Sequence, residues 1–293
     1  MQHQTGRLTA ADGLSLFTQS WKPDQGGKGT IVLVHGYAEH SGRYTHVADY
    51  FVQQGYNVHA LDHRGHGQSR GETFGYFERF SLMRDDLHQF VEQIRSQGHT
   101  GPLFMIGHSM GGLLSLHYAI QHQAALNGLV TSGALLDAGG DAPGMQVAVA
   151  RFLAQAVPKL GVVALDSATI SKDPEVVKAY DNDPNVYRGK IRARVAAEFF
   201  TTVSYVRENL QKITLPILCM HGSLDRLVKP SCAQFIYDHV GSTDKRIKIY
   251  EGLYHEIFNE PERSRVMADV WVWLASHQGT GELKAVAAAR QGS

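Results

Sequence analysis

The chain has 293 residues, of which 43% are hydrophobic, and its 28 Lys and Arg balance 28 Asp and Glu, so the formal net charge is zero. That length allows one large α/β domain with an ample core, and the charge balance does not indicate nucleic acid or another polyanion as a partner. Two cysteines, no apolar N-terminal stretch and no apolar run of about 18 residues argue against a disulfide framework, a signal peptide and a membrane-spanning helix, and they predict a cytoplasmic protein.

The N-terminal residues predict an antiparallel pair of strands, because alternating runs at 5–9 and 14–21 flank an Asp-Gly turn. Further strands are short, largely apolar segments, as buried parallel strands require, and they lie at 30–34, 56–61, 103–106, 129–130, 216–220 and 246–250. Helical periodicity separates them, at 44–54, 81–96, 111–122, 231–240 and 261–275. This alternation predicts an α/β fold with a mostly parallel, doubly wound sheet.

The alternation breaks once, between Val130 and Pro216, and a structureless loop of that length is uncommon in a compact domain. We therefore predict a core of residues 1–136 and 209–293 with an inserted lid, or cap, subdomain at 137–208. A predicted helix at 145–157 is almost entirely apolar, which fits either a buried helix or a lid whose apolar side faces a lipid substrate or a membrane surface. As part of a lid, Val149 and Phe152 would contact the substrate.

A Gly-x-Ser-x-Gly motif at 107–111 lies between a predicted strand and a predicted helix. A serine in this context occupies a sharp strand-to-helix elbow that exposes its hydroxyl, so Ser109 is the predicted nucleophile. The glycines leave no Cβ where strand and helix pass closest. The backbone N–H of Met110, at the start of the helix, is one predicted oxyanion donor. The second is the N–H of Tyr37, on the glycine-containing loop after the strand at 30–34.

A serine nucleophile needs a base and an orienting carboxylate, and in a parallel sheet both come from loops at the carboxyl ends of strands. His255 is the predicted base, because it follows the last strand. Asp225 is the predicted acid, because it lies on the loop after the preceding strand, with Asp137 and, more weakly, Glu251 as alternatives. The resulting chain order of serine, aspartate and histidine is that of α/β-hydrolases.

Three further histidines, His35, His108 and His221, adjoin these loops, and we interpret them as structural hydrogen-bonding groups. The histidines do not form a metal-binding constellation in the sequence. The predicted chemistry, an acyl-enzyme that water hydrolyses with histidine as base, needs no cofactor and no metal.

The chain resembles the monoacylglycerol lipase family of serine α/β-hydrolases, whose members are also described as lysophospholipases. The motifs that carry the resemblance are HGYAEHSGRY (35–44), DHRGHGQS (62–69), GHSMGG (107–112) and DPEVV (173–177). The resemblance implies the α/β-hydrolase fold, a mobile lid over an acyl tunnel, and the same triad and oxyanion donors as above. It also implies that Glu39 and Arg43 lie near the glycerol end of the pocket, although the two side chains could equally form a buried ion pair that braces the oxyanion loop.

The sequence thus predicts a serine hydrolase that cleaves the ester of a monoacylglycerol or a related single-chain lipid, with transient contact between the lid and a membrane or micelle surface. A broader carboxylesterase or a lysophospholipase stays open as an alternative. A non-catalytic binding protein on the same scaffold is disfavoured, because no triad position is degraded. Dehalogenases and epoxide hydrolases carry Asp as nucleophile, so Ser109 argues against both.

Overall fold

A computed structural model describes residues 1–97, 101–137 and 152–278 of the chain. Its strands are β1 Gln2–Thr9, β2 Ser15–Lys22, β3 Thr30–Val34, β4 Asn57–Leu61, β5 Leu103–His108, β6 Gly128–Ser132, β7 Gly161–Val163, β8 Ile191–Arg192, β9 Ile217–Gly222 and β10 Lys245–Tyr250. Eight of them form one sheet in the order β1-β2-β4-β3-β5-β6-β9-β10. The pairs β1·β2 and β2·β4 are antiparallel, and every other pair in this sheet is parallel.

Helices cover both faces of this sheet. Those with defined bounds are α1 Thr45–Gln53, α2 Phe80–Ser96, α3 Met110–His122, α4 Pro174–Asn182, α5 Ala193–Asn209, α6 Ser231–His239 and α7 Arg263–Ser276. One hydrophobic cluster packs α1 and α7 against one face, and a larger cluster packs α2, α3, α5 and α6 against the other. The predicted mostly parallel, doubly wound sheet is confirmed, and the predicted elements of the sheet and its covering helices differ from the structure only by a few residues at their ends.

The central strands explain where a site can form. All five residues of β3 and all six of β5 are buried, so their side chains are used for packing on both faces. Polar groups can therefore gather only at strand ends. Because β3, β5, β6, β9 and β10 run parallel, the loops that follow them open at the same edge of the sheet.

Between β6 and β9 the chain leaves the sheet and forms what we call the insertion. Its described part contains a helical segment at 152–156, the antiparallel pair β7·β8, α4 and α5. Asp173 caps the start of α4, because its side chain accepts a hydrogen bond from Glu175 N at 2.9 Å. Residues 138–151, which include most of the predicted helix at 145–157, lie outside the described residues. Among the described helices, none combines the length and the apolar character that crossing a bilayer demands.

Candidate active site

Ser109 lies at a sharp turn between β5 and α3. Its backbone has φ 54° and ψ −117°, a conformation that is strained for a residue with a Cβ. Two glycines allow the turn, since a Cβ at Gly111 would be 2.1 Å from Val34 O, and a Cβ at Gly107 would be 2.3 Å from Ser115 Oγ. The strand-to-helix elbow expected from the motif is therefore present.

The loop after β3 runs beside this serine. A Cβ at Gly36 would stand 3.2 Å from Ser109 Cβ, so the backbone of the loop passes close to the serine. The hydroxyl of the next residue, Tyr37, donates a hydrogen bond to Gly75 O at 2.8 Å, and this bond holds the loop in place. The backbone N–H groups of Tyr37 and Met110 thus belong to the two segments that flank the serine.

A buried charge network joins the loop after β3 to the loop after β10. Arg43 Nη1 lies 2.8 Å from Glu39 Oε2, and the guanidinium makes hydrogen bonds of 2.6 and 2.7 Å to Glu256. Glu39 Oε1 accepts hydrogen bonds from Gly36 N and from the hydroxyl of Tyr44. Burial would raise the pKa of the Glu256 carboxyl, but the charge and hydrogen bonds of Arg43 outweigh burial and lower this pKa to about 2. The network therefore fixes the two loops to each other.

Asp225 and His255 are hydrogen-bonded to each other. Asp225 lies after β9 and His255 after β10, and 2.6 Å separates Asp225 Oδ2 from His255 Nδ1. Gly133, whose φ is +54°, allows the ring this position, because a Cβ there would lie 3.2 Å from it. Burial opposes protonation of His255, but the hydrogen bond and the charge of Asp225 outweigh burial and raise the pKa of the ring. The pair can hold the imidazole in one tautomer and stabilise a second proton on it.

The alternative acids have other surroundings. Asp137 lies on the loop after β6, and its Oδ2 is 3.1 Å from Lys229 Nζ. Glu251 is exposed in the turn after β10. Of the three carboxylates considered from the sequence, Asp225 is the one bonded to the ring of His255.

The three histidines that we interpreted as structural hydrogen-bonding groups all have polar partners. Their ring nitrogens contact Gly36 O (His35, 2.8 Å), Ser132 Oγ (His108, 3.3 Å), and both Asp225 Oδ2 and Val228 O (His221, 2.9 and 3.0 Å). The contact with Asp225 was not foreseen, although His221 stands near the end of β9, the strand that leads into the loop of Asp225. Within residues 1–97, 101–137 and 152–278, no group of three or more His, Cys, Asp or Glu side chains is arranged to hold a metal ion.

Ser109 and His255 line one cavity of about 480 Å³. The insertion supplies much of its wall. Its apolar lining includes Leu135, Val163, Leu165, Ile191, Phe199 and Phe200, and its polar lining includes Glu39, Asp166, Tyr180, Asp181, Arg188 and Glu256. Such a mainly apolar cavity with a few polar groups is typical of a small-molecule site.

Some of the side chains that were predicted to contact substrate line this cavity, and others do not. Glu39 is part of the lining, whereas Arg43 is not, because its guanidinium is held between two glutamates in the charge network. The structure therefore favours the ion-pair alternative for Arg43. Phe152 is 67% exposed and does not line the cavity, so its predicted contact with an acyl chain is not supported. Val149 lies outside the described residues.

The wall provided by α5 was missed in the sequence analysis. The adjacent aromatic residues Phe199 and Phe200 both line the cavity, and Tyr37 packs edge-on against Phe199 with ring centroids 5.7 Å apart. Two successive residues of an α-helix point in different directions, so Phe199 and Phe200 cannot both lie at the centre of the face that packs on the core. That pair was the available signal.

Comparisons with known proteins give matches over most of the chain. The family described as serine aminopeptidase, S33 matches residues 25–262. The monoacylglycerol lipase of Mycolicibacterium smegmatis is 40% identical over 272 residues, which cover 90% of this chain and 94% of that protein. The structure of Paleococcus ferrophilus monoacylglycerol lipase superposes with a TM-score of 0.80 at 28% identity, covering 89% of this chain and 99% of the other. A soluble variant of the Saccharomyces cerevisiae monoglyceride lipase, in complex with a substrate analog, gives 0.81 at 26% identity and covers 96% of each chain.

Proposed function

This chain belongs to the monoacylglycerol lipase family of serine α/β-hydrolases, and from that membership we propose that it cleaves monoacylglycerols to a fatty acid and glycerol. As a member of the family it is a carboxylic ester hydrolase. One observation carries the choice of substrate: Ser109 and His255 line the same mainly apolar cavity. An apolar cavity that ends at a nucleophile and a base suits an ester with one long acyl chain.

In the proposed reaction, Ser109 Oγ attacks the ester carbonyl while His255 Nε2 takes the hydroxyl proton. Asp225 stays ionised and stabilises the imidazolium that forms. The oxyanion receives hydrogen bonds from the backbone N–H groups of Tyr37 and Met110. His255 then gives its proton to the leaving glycerol oxygen, and an acyl-enzyme remains. Water, deprotonated by the same histidine, hydrolyses the acyl-enzyme and releases the fatty acid.

The two ends of the substrate would be separated by polarity. The acyl chain would contact the apolar side chains of α5 and of the β7 region, such as Phe199, Phe200 and Val163. The glycerol hydroxyls would face Glu39 and Tyr180, since both are polar and line the same cavity as Ser109. A volume of about 480 Å³ lies in the lower half of the range for small-molecule sites, which favours one acyl chain over three.

The lining of this cavity suits a lysophospholipid less well than a monoacylglycerol. The polar groups of the cavity include one guanidinium, that of Arg188, and five carboxylates, namely Glu39, Asp137, Asp166, Asp181 and Glu256. Arg43 compensates Glu39 and Glu256, and Lys229 compensates Asp137, which leaves Asp166 and Asp181 against Arg188. A phosphate in the cavity would therefore still meet more negative than positive charge, whereas a neutral polyol would not be repelled. Rates on matched mono-, di- and triacylglycerols and on lysophosphatidylcholine of the same chain length test this choice. Faster turnover of triacylglycerol or lysophosphatidylcholine than of monoacylglycerol would overturn it.

We also propose a transient contact between the protein and lipid surfaces through residues 157–165, here called the exposed part of the insertion. Five of its side chains are apolar and more than one-third exposed, namely Val157, Leu160, Val162, Val163 and Leu165. Contiguous exposed apolar residues are typical of surfaces that meet a partner or a membrane. Replacing Leu160 and Val162 by Ser should reduce co-sedimentation with phosphatidylcholine vesicles and leave hydrolysis of a short soluble ester unchanged. Unchanged co-sedimentation would contradict the proposal.

The nucleophile is tested by Ser109→Ala. The variant should fold like the wild type and lose about a millionfold in kcat, the loss measured when a triad serine is removed elsewhere. A serine-directed fluorophosphonate should label the wild type at Ser109 and leave the variant unlabelled. Ester hydrolysis by Ser109→Ala above about one per cent of the wild-type rate, a bound far above that expectation, would show that another residue is the nucleophile.

A further inference from the structure

His221 is a second histidine in contact with the carboxylate of Asp225. It is the fifth residue of β9, fully buried, and its Nε2 lies 2.9 Å from Asp225 Oδ2 and 3.0 Å from Val228 O. The reaction outlined above uses neither of its ring nitrogens. His221 stands four residues before the acid, in the strand that leads into the acid's loop, which raises the question of what it contributes.

The contacts of His221 determine which nitrogen carries the proton. Both groups that face Nε2, a carboxylate oxygen and a carbonyl oxygen, are acceptors, so Nε2 must donate. Its Nδ1 is buried and has no hydrogen-bond partner among the described residues. A proton there would have no acceptor in that part of the chain. His221 therefore acts as a fixed N–H donor at Nε2, shared between the acid and the backbone at the end of its loop.

Each oxygen of the Asp225 carboxylate thereby accepts two hydrogen bonds. Oδ1 accepts hydrogen bonds from Leu227 N at 2.8 Å and Val228 N at 2.9 Å. Oδ2 accepts from His255 Nδ1 at 2.6 Å and from His221 Nε2. Without the bond from His221, the carboxylate would keep its backbone donors on one oxygen and a single donor on the other, and Oδ2 would be free to move relative to the imidazole.

We propose that His221 is a positioning residue for hydrolysis: its Nε2–H holds Oδ2 of Asp225 in line with Nδ1 of His255 and takes a share of the carboxylate's charge. The proposal rests on the function proposed above. Burial would raise the pKa of Asp225, but hydrogen bonds from His221 and His255 outweigh burial and keep that pKa well below its usual range. His221 thus also contributes to keeping the acid ionised.

The neighbouring charges define what else acts on His255. The titratable groups that influence its protonation are Asp225, Glu256, Glu39 and, on the neighbouring elbow, His108, whose ring centroid is 4.7 Å away. Cys232 at the start of α6 also lies in the field of Asp225. Of these groups, Asp225 is the one hydrogen-bonded to His221, so a shift in the pH profile of a His221 variant is assigned to the bond between them.

The test compares His221→Leu, which removes the donor, with His221→Gln, whose amide N–H can replace Nε2–H. The wild type and Ser109→Ala are measured beside them on a short soluble ester, with active sites counted by fluorophosphonate titration. Per active site, His221→Leu should lose about tenfold to hundredfold in kcat with KM nearly unchanged, as expected for a misaligned catalytic pair. The acid limb of kcat/KM should shift by about half a unit, because the bond to Asp225 that sets the pKa of His255 changes once His221 no longer shares the carboxylate. His221→Gln should restore both.

Two outcomes would overturn the proposal. One is a His221→Leu variant with fewer titratable sites but unchanged kcat per site and an unmoved acid limb, which is the behaviour of a merely structural histidine. The other, which holds even if His221→Leu does not fold, is a folded His221→Gln variant that has lost more than about a hundredfold in kcat per site, beyond the range for misalignment. Failure of the wild type to hydrolyse the ester, or equal activity of Ser109→Ala, would instead refute the proposed function.

Discussion

Two parts of the insertion are held in different ways. Residues 166–187, the anchored part, bond to the loops of the site: Glu256 N donates to Ile170 O at 2.8 Å, and Tyr187 N donates to Ala38 O at 2.7 Å. The exposed part, residues 157–165, has its backbone bonds within the insertion, such as that from Ala193 N to Leu160 O. The first part is thus fixed to the catalytic loops, while the second covers the cavity with fewer ties. A lid that moves as one unit does not fit this difference.

A buried glutamate strengthens the anchored side. Glu260 accepts hydrogen bonds from Tyr254 N, which precedes the histidine of the site, and from Lys172 N and Ser171 Oγ in the insertion. One carboxylate therefore binds the insertion and the loop of His255 together. We infer a division of tasks, in which the core loops and the anchored part keep the geometry of the reaction and the exposed part meets the lipid.

The largest effect that this division predicts is at the acid. Asp225→Asn should lower kcat about ten-thousandfold on short and long esters alike, because an amide at this position would leave His255 in the wrong tautomer. Asp137→Asn is the matched control, since Asp137 also lines the cavity but pairs with Lys229. We expect a loss below about tenfold for it, far from the loss at a triad acid. Steady-state kinetics with active-site titration measures both, and a reversed order would make Asp137 the acid.

A second test removes the cation on which the anchored side depends. Arg43→Met should leave Glu39 and Glu256 buried without their partner, which costs about 3–5 kcal/mol of unfolding free energy. Tyr180 would lose the guanidinium that lies 4.8 Å from its ring centroid. Hydrolysis of short and long esters should fall by the same factor, because the defect is in the loops.

Urea unfolding measures that loss of stability, and Arg95→Met serves as its control. Arg95 pairs with Glu92 on the surface, where such a pair contributes at most about 1 kcal/mol. The outcome that would contradict this view is a stable Arg43→Met variant with a raised KM for monoacylglycerol alone. Arg43 would then bind the glycerol head, as the family resemblance implied.

The exposed part is tested by substrate length. Val163 and Leu165 line the cavity although both are partly exposed, so their replacement by Ser should weaken contact with a long acyl chain. We expect a loss of about tenfold in kcat/KM for a long-chain monoacylglycerol and little change for a short ester, since the acyl tail alone loses apolar contact. Phe152→Gln, outside the cavity lining, should change neither rate. Equal losses on both esters would mean that Val163 and Leu165 support the fold instead.

Local patterns predicted the sheet well. Strand and helix periods, the Asp-Gly turn and the glycines around Ser109 each depend on a few neighbouring residues, and the structure keeps them. The rule that parallel strands open at one edge then brought the loops of Asp225 and His255 together without knowledge of the packing. The positions proposed for the triad therefore follow from short-range signals and one topological rule.

The insertion was less predictable because its contacts join residues that are far apart in the chain. The contact of His40 Nε2 with Asp183 Oδ2 in the insertion spans 143 positions, and no period or motif marks that pair. The cavity wall from Phe199 and Phe200 depends on how α5 crosses the sheet edge, which composition does not fix. His221 was recognised as a hydrogen-bonding residue, but its partner depends on the fold of the loop after β9.

The smallest effect concerns acid stability of the core beneath the loop after β3, to which the anchored part is tied. The rings of His35, His63 and His66 pack together there, with ring centroids 4.2 and 5.6 Å apart for the pairs that include His35. Burial lowers the pKa of His35 to about 4, even though the charge of Asp62 raises it. Burial also lowers the pKa of His66 to about 3, and Nε2 of His66 is buried without a partner among the described residues.

The sign follows from the unfolded chain, where a histidine has a pKa near 6.5. Below that pH the unfolded chain binds protons at His35 and His66, whereas the folded core does not. The stability that the two residues contribute is therefore complete above about pH 6.5 and is lost as the pH falls toward their folded pKa values. Between pH 7 and pH 6, one such histidine should account for about 0.7 kcal/mol of the loss in unfolding free energy.

His66→Asn keeps a donor for Arg64 O, the partner of His66 Nδ1, but it cannot titrate. The unfolding free energy of this variant should therefore fall less over this interval, by that amount. Urea unfolding at pH 8, 7 and 6 measures the slope, with pH 8 as the reference for any cavity left by the smaller side chain. An identical slope in wild type and variant would mean that His66 takes up its proton in the folded core, and that the core under the anchored part tolerates charge.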